Sequence, residues 1–170
     1  YDGTVFNCHV EDGEVSAINS SSVGGLIGHN MYGIVEACSS EAIVKGYYLV
    51  GGLLGHNKSG LVIDCHSLKR SLVNGSLAGG LLGENLYLVI ASSASGNVSG
   101  WNEIGCLVGS NWGIIHECKS KGNATGYGRI GGLVGRNLGT IVESCSYAYV
   151  VGEDEVGGLV GQNVLYISYS

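Results

Sequence analysis

The sequence predicts an all-β protein folded as a parallel β-helix, a β-solenoid of about six rungs of 26–28 residues, with no helix. Three observations carry that prediction. The phrase Gly-Gly-Leu-(aliphatic)-Gly-(polar)-Asn first occurs as Gly24-Gly25-Leu26-Ile27-Gly28-His29-Asn30 and returns from Gly51, Gly79, Gly105, Gly131 and Gly157. Its starts lie 27, 28, 26, 26 and 26 residues apart, and a fixed period of about 20–50 residues marks a repeat architecture. Glycine supplies 31 of 170 residues while proline is absent, and without a Gly-X-Y period or high charge this composition is neither collagen-like nor disordered. Finally, the apolar residues come in short runs with period-2 alternation, and no stretch shows the i, i+3, i+4, i+7 stripe of a helix.

Taken in order, residues 1–22 form a partial first rung, because Gly3-Thr4-Val5-Phe6-Asn7-Cys8 aligns with Gly139-Thr140-Ile141-Val142-Glu143-Ser144. Complete repeats then start near residues 23, 50, 78, 104, 130 and 156 of a single solenoid spanning 1–170. Each repeat has three parts. A glycine-flanked aliphatic pair, such as Leu53-Leu54, is followed by a β-rich run, such as Gly33-Ile34-Val35-Glu36-Ala37-Cys38. A small-residue stretch, such as Lys121-Gly122-Asn123-Ala124-Thr125-Gly126, closes it. Glycine at the same places in every rung implies positive φ there, or packing too close for a Cβ. Strands this short bury their apolar faces only by sharing one continuous core with stacked copies.

The asparagine closing each phrase (Asn30, Asn57, Asn85, Asn111, Asn137, Asn163) is expected to be structural. Stacked one rung apart, about 4.8 Å, identical amides can bond in a ladder, and asparagine also tolerates a left-handed corner.

At these residues the chain resembles the GLUG-motif repeat family, whose pattern Gly-Gly-Leu-Val-Gly-x-Asn-x-Gly-x-Ile is matched best by residues 131–152. The resemblance implies a secreted or cell-surface setting, like the stalk regions of large adhesins and the repeat regions of some immunoglobulin-cleaving metallopeptidases, and it carries over no catalytic residue. Two copies depart from the pattern. Leu86-Tyr87-Leu88-Val89 lacks the turn glycine, and Gly105-Cys106 replaces Gly-Gly; local distortion is expected at both.

Several residues are candidates for chemistry. Cys8, Cys38, Cys65 and Cys118 share one repeat position, taken by Ser92 and Ser144 elsewhere. Bridges Cys8–Cys38 or Cys38–Cys65 are within reach of neighbouring rungs in an oxidising compartment, and the alternative is a column of small inward residues. Candidate N-glycosylation sequons stand at Asn19, Asn74, Asn97 and Asn123, whereas the sequon at Asn57 falls in the ladder. Tyr47, Tyr48, Trp101 and Tyr127 precede the Gly-Gly phrase and could contact sugars or a protein partner, while Tyr32, Tyr87 and Trp112 follow the asparagine. His29, His56 and Glu84 share the variable exposed position, and Glu117 aligns with Glu143. No zinc-type pair of close cysteines exists, and His116-Glu117 lacks the second histidine of a metallopeptidase helix. No catalytic, cofactor-binding or metal-binding residue is expected.

A formal net charge of -6 offers nucleic acid no basic footprint, and no apolar run is long enough to span a membrane. The chain starts at Tyr1, as a mature chain or excised segment would, and neither end reads as a polar cap. The expected function is therefore that of an extracellular, non-enzymatic structural or adhesive repeat protein. Its partners would be further copies stacked head to tail into a fibre, or flanking repeats of a larger adhesin forming a rigid stalk, with surface glycans a further partner class. A carbohydrate-binding module using the aromatic turns is the alternative, followed by a glycan-degrading β-helix enzyme using acidic residues.

Overall fold

The structure, a computed structural model describing residues 3–68 and 72–164, is built of parallel strands coiled into a solenoid, with no helix among the described residues. Expectations about the two chain ends, Tyr1 and the tail 165–170, lie outside the described residues.

The glycine phrase forms the first sheet. Its six strands, Ile27–Asn30, Leu54–Asn57, Leu82–Asn85, Val108–Asn111, Val134–Asn137 and Val160–Asn163, pair in parallel, asparagine against asparagine. A second six-stranded sheet follows at once, with strands such as Ile34–Glu36, Leu61–Ile63, Leu88–Ile90 and Ile114–His116. The central residue of each points inward, so Val35, Val62, Val89 and Ile115 are buried while their neighbours face out, as the period-2 pleat requires. The small-residue stretches make a twelve-stranded sheet from short strands such as Ser39–Ser40 and long ones such as Ile43–Gly51, Leu72–Gly79 and Asn97–Gly105.

Two apolar columns run through the coil. One joins Leu53, Leu54, Leu81, Leu82, Leu107 and Leu133 to the central valines of the second sheet. The other, beneath the long strands, contains Val44, Val50, Val73, Val98, Ile104 and Ile130. Each fully buried aliphatic side chain contributes about 1.5–3 kcal/mol relative to exposure, and every rung supplies several.

Of the two roles open to the repeated glycines, the structure selects close packing. A Cβ on Gly79 would strike Leu82 O and come within 2.6 Å of Gly109 N and 2.8 Å of Leu107 O. All of these are backbone atoms of this rung or the next, and they cannot step aside. Among the described glycines only Gly122 has a positive φ, 113°. The left-handed corner falls instead on Asn7, Ala37, Asp64, Ala91, Glu117 and Glu143, with φ of 48–53°, directly after the second sheet. Here the N–H of every corner from Asn7 to Glu117 bonds the carbonyl of the next rung, as from Ala37 to Ile63 (3.1 Å) and from Ala91 to His116 (3.0 Å). These inter-rung bonds offset a conformational cost of about 1–2 kcal/mol per residue. The ladder asparagines are strand residues and occupy no left-handed corner.

The two atypical copies keep their register. Leu88–Ile90 pairs with both neighbouring rungs, and Ile104-Gly105 pairs with Ile130-Gly131. Asn85 donates to Tyr87 O as Asn111 donates to Gly113 O, so the missing turn glycine leaves the ladder intact. Beyond a register shift at Leu77/Ala78, where Glu103 is skipped just before Gly105, pairing continues through both copies, because the backbone bonds between rungs do not involve the altered side chains.

Candidate functional site

Two side-chain columns run along the solenoid. The asparagine column is buried from Asn30 to Asn137 and exposed at Asn163. Nδ2 of Asn30 donates to Asn57 Oδ1 (3.0 Å), Asn57 to Asn85 (2.9 Å), Asn85 to Asn111 (2.9 Å), Asn111 to Asn137 (2.8 Å) and Asn137 to Asn163 (2.8 Å). The second Nδ2 hydrogen reaches a backbone carbonyl two or three residues on, such as Gly60 O (2.7 Å) or Gly139 O (3.1 Å). From Asn30 to Asn137 both Nδ2 hydrogens are used, so these amides serve the coil itself.

The exposed column is the candidate site. It follows one position per rung, Ile18, Tyr47, Ser76, Trp101, Tyr127 and Glu153, the last five each after a glycine, with Tyr127 in the break between strands Lys119–Thr125 and Gly128–Gly131. Gly75 pairs with Gly100 and Ser99 with Thr125, while Asn74 pairs with Lys45 just before the register of those two strands shifts, and Tyr47, Ser76 and Trp101 line one cavity. Trp101 and Tyr127 stack with ring centroids 5.1 Å apart and planes within 8°, yet they remain 67% and 49% exposed. Tyr47 is 66% exposed. Tyr47 and Trp101 flank a cavity of about 500 Å³ whose base includes Gly75, Ser76 and Gly100. Tyr48 does not join them. It leans toward Glu84 and Glu103, and burial followed by those two carboxylates raises its phenol above the ordinary value. Sequence reasoning found three of the aromatics but not Ser76, although aligning the Gly-X pairs would have shown where the aromatic series is interrupted.

The remaining candidates occupy separate places. Cys38, Cys65 and Cys118 point inward as free thiols that donate to the carbonyl two residues back, at 3.1–3.3 Å, and Ser92 and Ser144 do the same with hydroxyls. No Cys8–Cys38 or Cys38–Cys65 bridge is present. Burial pushes the thiols of Cys65 and Cys106 up to about 12 and that of Cys118 to about 11, which suppresses the reactive thiolate. Asn19, Asn74, Asn97 and Asn123 are exposed strand residues, whereas Asn57 is fully buried.

His29 and His56 stack at 4.6 Å, and His56 Nε2 lies 3.3 Å from Glu84 Oε2. Burial, then His29 and Lys58, lowers the His56 pKa, while burial and Glu103 raise that of Glu84. Arg129 binds Glu103 and Glu155, each at 3.0 Å. The donor atoms of His116, Glu117 and Glu143 lie within 4.8 Å of one another and could hold a divalent cation weakly. His116 Nε2 already faces Glu143 Oε2 at 3.3 Å. Asp64 is separated from Glu117 by the Ala91 rung and instead faces His66 at 3.3 Å.

No described helix is long and apolar enough to cross a membrane. No curated protein and no solved structure matches the chain. The family model of the GLUG motif matches residues 19–45, which run from an exposed strand through the first complete phrase and the Ala37 corner into the next small-residue strand. Residues 19–45 thus carry a GLUG motif, and the rungs stacked on them repeat its Gly-Gly-Leu and asparagine positions in register.

Proposed function

We propose that the chain is an extracellular, non-enzymatic structural or adhesive rod, stacking with further copies into a fibre or with flanking repeats into a rigid stalk. The observation that carries this reading is the unbroken asparagine ladder, which repeats one bond of 2.8–3.0 Å from rung to rung alongside in-register parallel sheets. Such a column resists bending and local opening, because each rung is held by the amides and backbone groups of both neighbours. The motif at residues 19–45 supports the setting, since GLUG repeats resemble adhesin stalks.

Electron microscopy of the purified chain over a concentration series, with limited proteolysis in parallel, tests the reading. Protease-resistant rods about 29 Å long per chain are expected, lengthening into filaments if copies stack. Compact particles that are cut within the rungs would overturn it. The enzymatic alternative predicts polysaccharide turnover that disappears in Glu143→Gln.

A further inference from the structure

We propose that the interrupted step in the exposed aromatic column, above Ser76, is a binding slot for one pyranose ring of a neutral glycan. Trp101 and Tyr127 show what the column does when adjacent steps both carry rings, stacking at 5.1 Å with planes 8° apart. Tyr47 and Trp101 belong to rungs two steps apart, about 9.6 Å at a strand spacing of about 4.8 Å, and the rung between them gives the small Ser76 to the same cavity lining. One inserted ring divides that interval into two of about 4.8 Å, inside the roughly 4.5–7 Å range of ring contacts. The cavity of about 500 Å³ falls in the usual range for small-ligand sites, about 300–1,000 Å³.

The lining selects the ligand class. Tyr47, Trp101 and the exposed Ile18 give the slot its apolar lining, and Ser76, Ser99, Thr125 and Asn74 give it hydroxyls and an amide. Asn74 Nδ2 donates to Ser99 Oγ at 2.9 Å, which holds that edge in place. Among the described residues, no charged side chain lines the cavity. A sugar ring has C–H groups on its faces and hydroxyls around its edge, and it satisfies both kinds of surface. An aromatic side chain from a partner would leave the hydroxyls unused, and an anionic ligand would find no counter-charge. The slot is independent of whether the solenoid is a fibre or a stalk.

The test is fluorescence titration of Trp101 in a Trp112→Phe background, using chain made without N-glycosylation so that Asn74 carries no glycan. The probes are neutral oligosaccharides of glucose, galactose, mannose and N-acetylglucosamine, with a polyuronate as the charged control. A saturable change with at least one neutral probe is expected, with a dissociation constant near about 1 mM for so few contacts. Ser76→Phe fills the missing step and is expected to weaken binding about tenfold or more, whereas Ser76→Thr leaves it within about twofold. Tyr47→Ala removes one wall and gives the same loss should Ser76→Phe fail to fold. The proposal is overturned by the absence of a saturable signal up to about 10 mM, by equal binding in a folded Ser76→Phe chain, by a response to the polyuronate alone, or by a signal that follows protein concentration without sugar.

Discussion

The asparagine and aromatic columns are both ladders with one residue per rung, yet one is complete and the other interrupted. Burial accounts for the difference. An amide removed from the asparagine column strands partners on both sides away from water, and each orphaned polar group costs about 1–3 kcal/mol. A ring removed from the exposed column strands nothing, since water covers its neighbours. The buried column is therefore held to one residue type, while the exposed one ranges over Ile18, Tyr47, Ser76, Trp101, Tyr127 and Glu153. Uniformity marks what holds the coil together, and variation marks where binding specificity can arise.

The comparison can be broken most severely at the backbone beside the ladder. Gly79→Ala forces a Cβ into main-chain atoms of the next rung and should cost about 3 kcal/mol or more, read as loss of the cooperative urea transition. Gly128→Ala, whose Cβ would meet only Asn102 Oδ1 at 3.3 Å, should change that transition by under about 1 kcal/mol. Equal effects would show that the repeated glycines are not packing residues.

Breaking the ladder itself comes next. Asn85→Leu removes the bonds to Asn57, Asn111 and Tyr87 O and should lower unfolding free energy by about 2–5 kcal/mol. A change below about 1 kcal/mol would mean the amides are ornament on a coil held by its aliphatic core.

The histidine column gives a smaller effect that depends on pH. Because burial lowers the His56 pKa in the folded chain, the unfolded chain binds the extra proton more readily. The stability contributed by neutral His56 is complete above the unfolded value, about 6.5, and is lost as pH falls from there toward the folded pKa. Glu84, with its pKa raised by burial, works in the opposite sense, since its protonation on acidification relieves a buried charge. Melting temperatures of the native chain and His56→Gln, compared from pH 7.5 to 5.5, should show a shallower acid loss in the variant. Parallel curves would remove His56 as the cause.

Smallest of all is the effect of Tyr127→Ala, which breaks the exposed stack and should destabilise by about 0.5–1.5 kcal/mol at most. A loss as large as that of Asn85→Leu would contradict the division between the two columns.

Much of the architecture was legible in the sequence because stacking makes each rung a copy of the last. The six asparagines, the aliphatic pairs and the small-residue stretches recur at one period, and a single period of about 26–28 residues with short β-type runs leaves few alternatives to a parallel coil. The inward cysteine column was readable too, since serine replaces cysteine at Ser92 and Ser144. Local chemistry was not decided so easily. Glycine served close approach while Ala37, Ala91 and Glu117 took the positive φ, because hydrogen bonds to the next rung outweigh an intrinsic preference of about 1–2 kcal/mol. Tyr47 and Tyr48 are neighbours in sequence, but strand alternation sends them to different surroundings, one to the slot and the other toward Glu84 and Glu103. The sequence by itself determined the repeat, the ladder and the parallel class, since these depend on which residues recur. Only the tertiary structure decided which side chains share a step, and hence that Ser76 opens a gap between two rings. Register between distant segments depends on inter-rung backbone bonds, which no single repeat contains.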